Sequence, residues 1–494
     1  MSYFLIFLVF TLFDQNLIAE CSLLSKIKLK SNQFIDEYGR VMLFHGANYV
    51  NKEPPWYPVQ LTNQTNLDNL KLWGFNSVRL GVMWTGLRPD IKTVNTTYLN
   101  IILKIIDDLS QRGIYVIIDL HQDMMSTKFA AYDGVPRWLI DLMPNSTFNY
   151  PWPFKKYYLG FEAYLTDACG YAFQNLYSNT NNFQDYFSEY WTIVSKNMVN
   201  LTSVLGYEFI NEPWAGDIFS KPELLIPGIA GRHNLLPFYD NIYKTIRQYD
   251  NETLVFYEPV TWGILLNGNF AGTGFDRAPG NDSDRTVLSW HYYCWLLQFN
   301  ANPLKNNSYP VYDRIICDEI QREIAFESVK NDRIMIGGGS FLTEFGVCAF
   351  SMDNGTLDTT ECEYVLDSAD QYFTSWSYWN SKTFYSEDGQ NINYPIINIF
   401  SRVYPQSTAG TPTSLYYNTT TLIFIYEYEH DPSIGTPTQI YVPDFLYKNG
   451  FQVSVSNHLK YSLDKINHLV LVTLESSWNQ ALDAKIMIIP NSSY

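Results

Sequence analysis

The sequence predicts an α/β protein, a (β/α)8 TIM barrel followed by a C-terminal antiparallel β-sandwich. Eight short apolar runs alternate with segments of helical apolar spacing before residue 404. Most of these runs end in polar residues, and helical patterns stop after residue 412. Alternating strands and helices with polar strand ends are typical of a barrel whose chemistry lies at one mouth. We therefore assign residues 21–404 to the barrel and residues 405–494 to the sandwich.

The barrel strands are short and follow one another at regular intervals. A hairpin over residues 26–44 is predicted to close the barrel floor and to run into the first strand. Helical spacing over residues 66–72, 101–109 and 186–198 separates later strands. The eight predicted strands are the run that ends at Asn48 and residues 77–80, 114–119, 204–210, 254–258, 286–291, 334–346 and 375–379.

Two of the predicted strands end in a glutamate. The fourth strand is followed by Asn211 and Glu212, and the seventh ends at Glu344. Because the carboxyl ends of barrel strands meet at one mouth, we expect the two glutamates to face each other. Taken singly, Glu212 is equally well explained as a capping or surface carboxylate, since Glu is mostly exposed in proteins.

One connection is much longer than the others. About sixty residues rich in aromatics, Pro and Gly separate Asp123 from the helix predicted at residues 186–198. They include Trp138 and Phe173. Long ordered connections are usually lids or binding walls, so we expect this segment to border the mouth. The alternative is a glycosylated decoration at Asn145.

The last ninety or so residues lack helical patterns. Their extended runs predict a small β-sandwich. The five predicted strands of this domain are residues 421–427, 439–442, 452–455, 469–474 and 485–489.

Charge and the N-terminal sequence indicate the class of partner and the compartment. The net charge of −17 argues against nucleic acid, which favours Lys and Arg. An apolar run over residues 4–13 predicts a signal peptide, residues 1–20, cleaved near Ala19. Ten glycosylation sequons agree with passage through the secretory pathway. We expect a glycoprotein secreted from the cell or delivered to a lysosome or digestive lumen.

The six cysteines show no Cys-x-x-Cys pair. This spacing disfavours a metal site and permits disulfides. Six cysteines allow fifteen complete pairings. Closeness along the chain favours Cys294 with Cys317 and Cys348 with Cys362.

Two carboxylates at a barrel mouth, without metal ligands, suit cleavage of a glycosidic bond. A retaining glycosidase places its carboxyl groups roughly 5–5.5 Å apart, one as the nucleophile and the other first as acid and then as base. Burial and a neighbouring negative charge raise the pKa of the acid. Loss of that charge in the covalent intermediate lowers the pKa again, so the same residue can donate first and accept later.

Four strand-end motifs together resemble glycoside hydrolase family five. They are Asp-Leu-His-Gln-Asp at residues 119–123, Asn-Glu-Pro at 211–213, Trp-His-Tyr-Tyr at 290–293 and Leu-Thr-Glu-Phe-Gly at 342–346. Within that family the chain is most similar to the endoglycoceramidases. This narrower resemblance depends on Asn48 followed by Lys52, on residues 121–123, on Ser-Tyr-Trp at 377–379 and on Ala-Gly-Thr-Pro at 409–412.

The resemblance implies a role for each site residue. Glu212 would be the acid/base and Glu344 the nucleophile. Asn211 would bind the sugar 2-hydroxyl, Tyr293 would orient the nucleophile, and Arg79 would keep it ionised. The other expected substrate contacts are His121, Asp123, His291, the stacking platform Trp379 and the glycan-binding Lys52. An ordinary exposed lysine is the alternative for Lys52.

The resemblance also implies a substrate. It indicates hydrolysis of the β-glycosidic bond between oligosaccharide and ceramide in glycosphingolipids presented in membranes or micelles. An activator protein or a detergent is a candidate helper. We expect a monomer that requires no metal or organic cofactor and binds no nucleic acid. The alternatives are another family-five β-glycosidase (a glucosylceramidase, a steryl-glucosidase or an endo-glucanase or mannanase) and a non-catalytic glycan-binding protein.

Overall fold

The computed structural model describes residues 24–129, 134–155, 161–261, 272–294, 315–317, 322–346, 360–386 and 389–491. The predicted signal peptide, residues 1–20, lies outside these ranges and stays a prediction. The first described segment of the chain forms the strands β1 (Lys28–Lys30), β2 (Gln33–Ile35) and β3 (Val41–Met42).

The N-terminal hairpin covers the barrel floor, as predicted. Its Phe34 packs edge-on against Phe44 and Phe341, with ring centroids 5.4 and 6.2 Å apart. The hairpin has a second role that the sequence did not predict, because β3 pairs with β12 (Tyr404–Thr408) and so extends a sheet of the C-terminal domain. Backbone pairing therefore joins the N-terminal hairpin to the C-terminal domain.

Eight parallel strands close the barrel, which confirms the predicted fold class. Each strand pairs with its neighbours in chain order, and the last pairs with the first. In chain order the strands are β4 (His45–Tyr49), β5 (Ser77–Gly81), β6 (Tyr115–Asp119), β7 (Val204–Glu208), β8 (Leu254–Tyr257), β9 (Thr286–Tyr292), β10 (Gly339–Phe345) and β11 (Ser375–Tyr378).

The seventh barrel strand is shorter than predicted. Residues 334–336 belong to the end of the helix Arg322–Ile336 and not to β10. Gly337 and Gly338, with φ of 80° and 84°, separate the helix from the strand. Such left-handed backbone is accessible to glycine and ends helices. The prediction was wrong there because three consecutive apolar residues resemble a buried strand.

The α-helices pack outside the barrel. The helix Thr96–Ser110, for example, turns Ile102, Ile105, Ile106 and Leu109 inward at the spacing of an amphipathic helix. The α-helices of the described residues are Gln64–Leu72, Trp84–Leu87, Thr96–Ser110, Arg137–Ile140, Asp167–Tyr177, Phe183–Met198, Leu236–Arg247, Arg322–Ile336, Thr360–Gln371 and Tyr394–Phe400. In this part of the chain, every helix is too short or too polar to cross a membrane.

Short helices complete the connections. One π-helical turn, Gly231–Leu235, precedes the helix Leu236–Arg247. The 3₁₀ turns of the described residues are Val59–Thr62, Phe161–Leu165, Thr180–Asn182, Pro222–Leu225, Pro279–Asn281, Ser283–Arg285, Ser381–Phe384 and Asp444–Leu446.

The long connection after β6 is partly helical. It contains the helices Arg137–Ile140 and Asp167–Tyr177, and the second of these buries Cys169, Phe173 and Leu176. The described part of this connection is therefore a packed wall and not a structureless loop. Its alternation of Pro, Gly and aromatic residues obscured the helical pattern in the sequence.

The C-terminal domain consists of two antiparallel sheets, also as predicted. One has the strand order β1-β2-β3-β12-β15-β18-β17, and the other has the order β13-β14-β19-β16. The remaining strands are β13 (Gly410–Asn418), β14 (Ile423–His430), β15 (Thr438–Tyr441), β16 (Phe451–Val455), β17 (Leu459–Asp464), β18 (Leu469–Leu474) and β19 (Leu482–Pro490). The sequence did not predict β12, β13 or β17.

One predicted disulfide is present. Cys294 and Cys317 are bonded, with their Cα atoms 5.5 Å apart. The other predicted pair includes Cys348, which lies outside the described residues, so that pairing stays a prediction.

Candidate active site

The candidate active site lies at the C-terminal ends of the barrel strands. Asn211 and Glu212 follow β7, His291 lies near the end of β9, and Glu344 lies near the end of β10. Parallel strands of a closed barrel end at the same rim, so residues far apart in sequence meet there. A carboxylate oxygen of Glu212, one of Glu344 and a ring nitrogen of His291 all lie within 4.8 Å of one another.

A cation and a phenol hold Glu344. Its Oε1 accepts a hydrogen bond from Nη1 of Arg79 at 2.7 Å, and its Oε2 accepts one from the hydroxyl of Tyr293 at 2.9 Å. These donors fix the plane of the carboxylate and stabilise its negative charge. The arrangement suits a nucleophile that must attack from one direction.

Arg79 is the centre of a buried network. Its guanidinium lies 3.3 Å from a carboxylate oxygen of Asp119 and 3.4 Å from one of Glu258, and it also bonds Glu208. Burial alone would lower the pKa of Arg79, but the charges of Asp119 and Glu208 raise that pKa well above its ordinary value. The guanidinium is therefore a fixed positive charge beside Glu344.

Glu212 has the environment of a general acid. Its Oε1 lies 3.0 Å from Nδ1 of His291. Burial, followed by the negative charge of Asp123, raises the pKa of Glu212 to about 7. Burial lowers the pKa of His291 to about 4, so this imidazole is neutral near pH 7. A carboxyl group that keeps its proton near neutral pH can donate it to a leaving group.

The turn that presents Asn211 and Glu212 is fixed by polar contacts. Glu212 has φ of 40°, in the left-handed region that non-glycine residues rarely adopt. Its carbonyl oxygen accepts hydrogen bonds from Nε2 of Gln122 and the hydroxyl of Tyr164, each at 3.1 Å. The side-chain amide of Asn211 donates a hydrogen bond to the backbone carbonyl of Gln122 at 2.9 Å. These contacts hold both side chains toward the mouth.

Four of the predicted glycan-binding residues form one cluster. The His121 ring lies parallel to the Trp379 ring, with centroids 5.3 Å apart. Nζ of Lys52 lies 4.8 Å from the centroid of the same indole and forms an ion pair with Asp123. The side chain of Lys52 is only 19% exposed, so the ordinary exposed lysine considered above is wrong.

Charge fixes the protonation of this cluster. Burial alone would lower the pKa of His121, but Asp119, whose Oδ2 lies 2.7 Å from its Nδ1, raises that pKa to about 9. Burial opposes ionisation of Asp123, yet Lys52 and His121 lower its pKa below the ordinary range. The mouth therefore presents two cations and one carboxylate around an indole face, a combination suited to sugar hydroxyls.

Several residues of the site were assigned no role from the sequence, although Asn48 and Gln122 belong to the motifs described above. Glu208 and Glu258 both contact Arg79, as described above, and Asn48 accepts a hydrogen bond from Arg79 at 3.0 Å. Gln122 and Tyr164 support the turn at Glu212. Glu208 and Glu258 were visible as carboxylates at the ends of apolar strands, which is the same signal that identified Glu344.

Among the residues that the structure describes, two sets of side chains have the spacing of metal ligands. They are Glu208 with Glu258 and His291, and Glu212 with His291 and Glu344. Arg79 already contacts Glu208, Glu258 and Glu344 as a cation. The guanidinium supplies the positive charge that these carboxylates need.

The separation of Glu212 and Glu344 fits a retaining glycosidase. Retaining enzymes keep their two carboxyl groups roughly 5–5.5 Å apart, whereas inverting enzymes need roughly 6.5–9.5 Å to admit a water molecule. Oxygens of the two carboxylates approach within 4.8 Å in the structure. This close approach agrees with the shorter spacing of retaining enzymes.

Comparison with known proteins agrees with this geometry. The family profile described as cellulase (glycosyl hydrolase family 5) matches residues 35–384, and the glycoside hydrolase family 5 C-terminal domain matches residues 402–488. The chain belongs to glycoside hydrolase family 5. It is accordingly a glycosidase, and both of its domains are found in that family.

Relatives extend over nearly the whole chain. The chain is 31% identical to an endoglycoceramidase of Cyanea nozakii over 88% of each protein. It is 32% identical to an endoglycoceramidase of Hydra vulgaris, covering 87% of this chain and 83% of that protein.

Solved structures share the fold. Endo-glycoceramidase II from Rhodococcus sp., in complex with ganglioside GM3, superposes with a TM-score of 0.75 at 20% identity, over 94% of this chain and all of that one. Sterylglucosidase 1 of Cryptococcus neoformans gives a TM-score of 0.72 at 13% identity, over 95% and 98% of the two chains. Two substrate classes are thus found on closely similar frameworks.

Proposed function

We propose that this family 5 glycosidase is a retaining endoglycoceramidase, which cleaves the β-glycosidic bond between the oligosaccharide and the ceramide of gangliosides and neutral glycosphingolipids. The observation that supports it most is the similarity to two endoglycoceramidases, of Cyanea nozakii and Hydra vulgaris, over nearly the full length of all three proteins. The geometry of Glu212 and Glu344 supplies the chemistry.

In the first step, Glu344 attacks the anomeric carbon of the sugar attached to ceramide. Arg79 and Tyr293 orient the attacking carboxylate. Glu212 gives its proton to the glycosidic oxygen, so that ceramide leaves as a neutral alcohol. Asn211, held by Arg79 at 2.8 Å, is placed to bind the sugar 2-hydroxyl, an interaction that strengthens in the transition state.

In the second step, water hydrolyses the glycosyl-enzyme. The ester at Glu344 has no negative charge, which favours the ionised form of the nearby Glu212. Glu212 then accepts a proton from water as the water attacks the anomeric carbon. The oligosaccharide leaves with the stereochemistry of the substrate, and both carboxylates return to their starting states.

A cluster of exposed aromatic rings supports binding of the lipid. Trp152 stacks on Phe148 with centroids 4.1 Å apart, and Phe219 lies 4.9 Å from the same indole. The three side chains are 37%, 44% and 39% exposed, respectively. Phe219 follows Glu212 in the β7 connection, and the other two belong to the long connection after β6. This aromatic wall is apolar surface for the ceramide chains or the membrane that contains them.

Trp138 is less suited to that role. Its indole nitrogen donates to the carbonyl of Arg88 at 3.0 Å, and its ring packs edge-on against Tyr186 of the helix Phe183–Met198. We therefore place the aromatic wall at Trp152 and its neighbours.

The remaining expectations belong to the same proposal. The apolar run at residues 4–13, the sequons and the bonded Cys294 and Cys317 support secretion or delivery to a lysosome or digestive lumen. We propose a monomeric glycoprotein whose lipid substrate is presented by a membrane, a micelle or an activator protein. Secretion from eukaryotic cells, with a mass decrease after enzymatic removal of N-glycans, tests the compartment.

The steryl-glucosidase alternative deserves a direct comparison, because that framework also superposes on this chain. A panel of lactosylceramide, a ganglioside, glucosylceramide, steryl glucoside and cello- or manno-oligosaccharides separates the alternatives. We expect the highest kcat/KM on the first two. A higher kcat/KM on steryl glucoside or on the polysaccharide fragments would contradict the endoglycoceramidase assignment.

A further inference from the structure

Glu258 contacts three parts of the site at once. It follows β8 directly and is 3% exposed. Its Oε2 accepts the backbone N–H of Glu212 at 3.0 Å. Its Oε1 lies 3.4 Å from Nε2 of His291 and 3.4 Å from Nη2 of Arg79.

The first contact bears on the backbone of Glu212. The left-handed φ of 40° at this residue is unfavourable for a side chain with Cβ, so the surrounding contacts must impose it. Gln122 and Tyr164 hold its carbonyl oxygen. Glu258 holds its N–H. The turn is thereby fixed at both of its peptide groups.

The second contact bears on the tautomer of His291. A neutral imidazole has one N–H, and its other nitrogen is an acceptor. Nδ1 faces Glu212 at 3.0 Å, whereas Nε2 is buried, makes no hydrogen bond within the described residues and lies 3.4 Å from Oε1 of Glu258. Burial, followed by the charge of Glu208, raises the pKa of Glu258 well above its ordinary value. A protonated Glu258 faces Nε2 as a donor, which leaves the imidazole proton on Nδ1.

We propose that Glu258 is a positioning residue for Glu212: it fixes the left-handed turn and keeps the His291 proton on Nδ1, where it donates to Oε1 of Glu212. The remaining oxygen of Glu212 then presents its proton to the glycosidic oxygen. This inference rests on the proposed role of Glu212 as the acid/base.

Leaving-group dependence tests the inference. Proton donation accelerates cleavage of a glycoside with a poor leaving group. It has little effect on cleavage of 2,4-dinitrophenyl β-lactoside, because that leaving group departs as an anion. We expect Glu258→Ala to lower kcat/KM on lactosylceramide about tenfold or more beyond any loss on the dinitrophenyl glycoside, which is part of the roughly 10²–10⁴-fold that general acid catalysis contributes. Glu258→Gln keeps an acceptor for the Glu212 N–H and a donor for His291, so it should retain most of the activity on both substrates.

Matched variants separate positioning from folding. Asp332 is also buried and accepts the backbone N–H of Thr273 at 3.0 Å, but it lies on the outer helix Arg322–Ile336. Asp332→Ala should reduce stability and leave the ratio of the two activities unchanged. Equal losses on both substrates for Glu258→Ala, as for a purely structural defect, would overturn the inference.

Two further measurements keep the test decisive. Glu212→Gln must itself show the leaving-group dependence; if it does not, the acid/base assignment fails and the inference fails with it. If Glu212→Gln shows the leaving-group dependence and Glu258→Ala does not, only the proposed role of Glu258 is wrong. Nitrogen-15 NMR of histidine-labelled wild-type protein, assigned with His291→Asn, should show His291 protonated on Nδ1, and protonation on Nε2 would overturn the inference without any Glu258 variant.

Discussion

At the scale of single residues, the two catalytic carboxylates differ in their surroundings. Glu344 faces the Arg79 guanidinium and the Tyr293 hydroxyl, whereas Glu212 faces a neutral imidazole and lies near Asp123. The first environment stabilises negative charge, and the second retains a proton. The division of roles follows from this difference.

Replacement of the nucleophile tests this division most simply. Glu344→Gln should lower kcat by about a thousandfold or more, because the amide cannot form the glycosyl-enzyme. The variant should fold, since the amide has nearly the same shape. Activity assays with a thermal unfolding curve measure both effects. As a control, Glu427→Gln removes an exposed partner of Lys485 and should leave kcat unchanged. Normal turnover by Glu344→Gln would exclude this residue as nucleophile.

The pH profile tests the acid. Glu212 must be protonated for the first step, so kcat/KM on glycolipid should fall as the pH rises through about 7, the raised pKa of Glu212. Asp123→Asn removes a negative charge that raises this pKa and frees the cation of Lys52, and both changes favour ionisation of Glu212. The falling limb should therefore move to lower pH. A limb that stays in place, or moves to higher pH, would contradict the electrostatic explanation.

The sequence predicted the residues that chemistry requires and missed those that only geometry reveals. Glu212, Glu344 and His121 were visible because polar residues interrupt apolar strands at their ends. Lys52 was ambiguous, because no local pattern shows whether a loop lysine folds back on Asp123. Glu258 has the same strand-end signal as Glu344, but its contact with the backbone of Glu212 exists only once the barrel closes.

At the scale of secondary structure, periodicity identified all eight barrel strands, because fully buried parallel strands are nearly uninterrupted apolar runs. It failed where burial is partial. β17 exposes four of its six side chains, and β13 buries only three of its nine and contains Pro412, so neither has a strong alternating pattern. At residues 334–336 a strand was predicted where the structure has the end of a helix, because three apolar residues are too few to show a helical period.

The connections contribute the aromatic wall. Trp152→Ala removes its central ring, between Phe148 and Phe219. We expect kcat/KM to fall several-fold on membrane-presented ganglioside, in line with the loss of a large apolar contact, and to change little on a soluble aryl lactoside. Trp478→Ala, in the C-terminal domain, is the matched control and should affect neither substrate. Equal losses on both substrates for Trp152→Ala would remove the aromatic wall from the proposal.

At the scale of the whole molecule, backbone pairing and side-chain hydrogen bonds join the C-terminal domain to the rest of the chain. β3 of the N-terminal hairpin pairs with β12, the first strand of the C-terminal domain. The hydroxyls of Tyr404 and Tyr441 donate to the carbonyls of Gly74 and Leu72 at 2.7 and 2.6 Å. The default role of the sandwich is therefore to stabilise the barrel floor, on the side opposite the mouth.

Truncation tests this dependence. A chain that stops after residue 403 loses the partner of β3 and exposes the apolar surface beneath Tyr404 and Tyr441, which are each 1% exposed in the intact protein. We expect it to be insoluble or to lack a cooperative unfolding transition. Recovery of a soluble barrel that unfolds cooperatively and retains activity would show that the two domains are independent.

The proposed function requires that the enzyme release an intact oligosaccharide from ceramide. Mass spectrometry of the products formed from a detergent-solubilised ganglioside at mildly acidic pH tests it most directly. We predict equal amounts of intact oligosaccharide and free ceramide, and neither product with Glu344→Gln. Release of monosaccharides alone, or no reaction with ganglioside while an aryl glycoside is cleaved, would contradict the claim and leave a family 5 glycosidase with a different substrate.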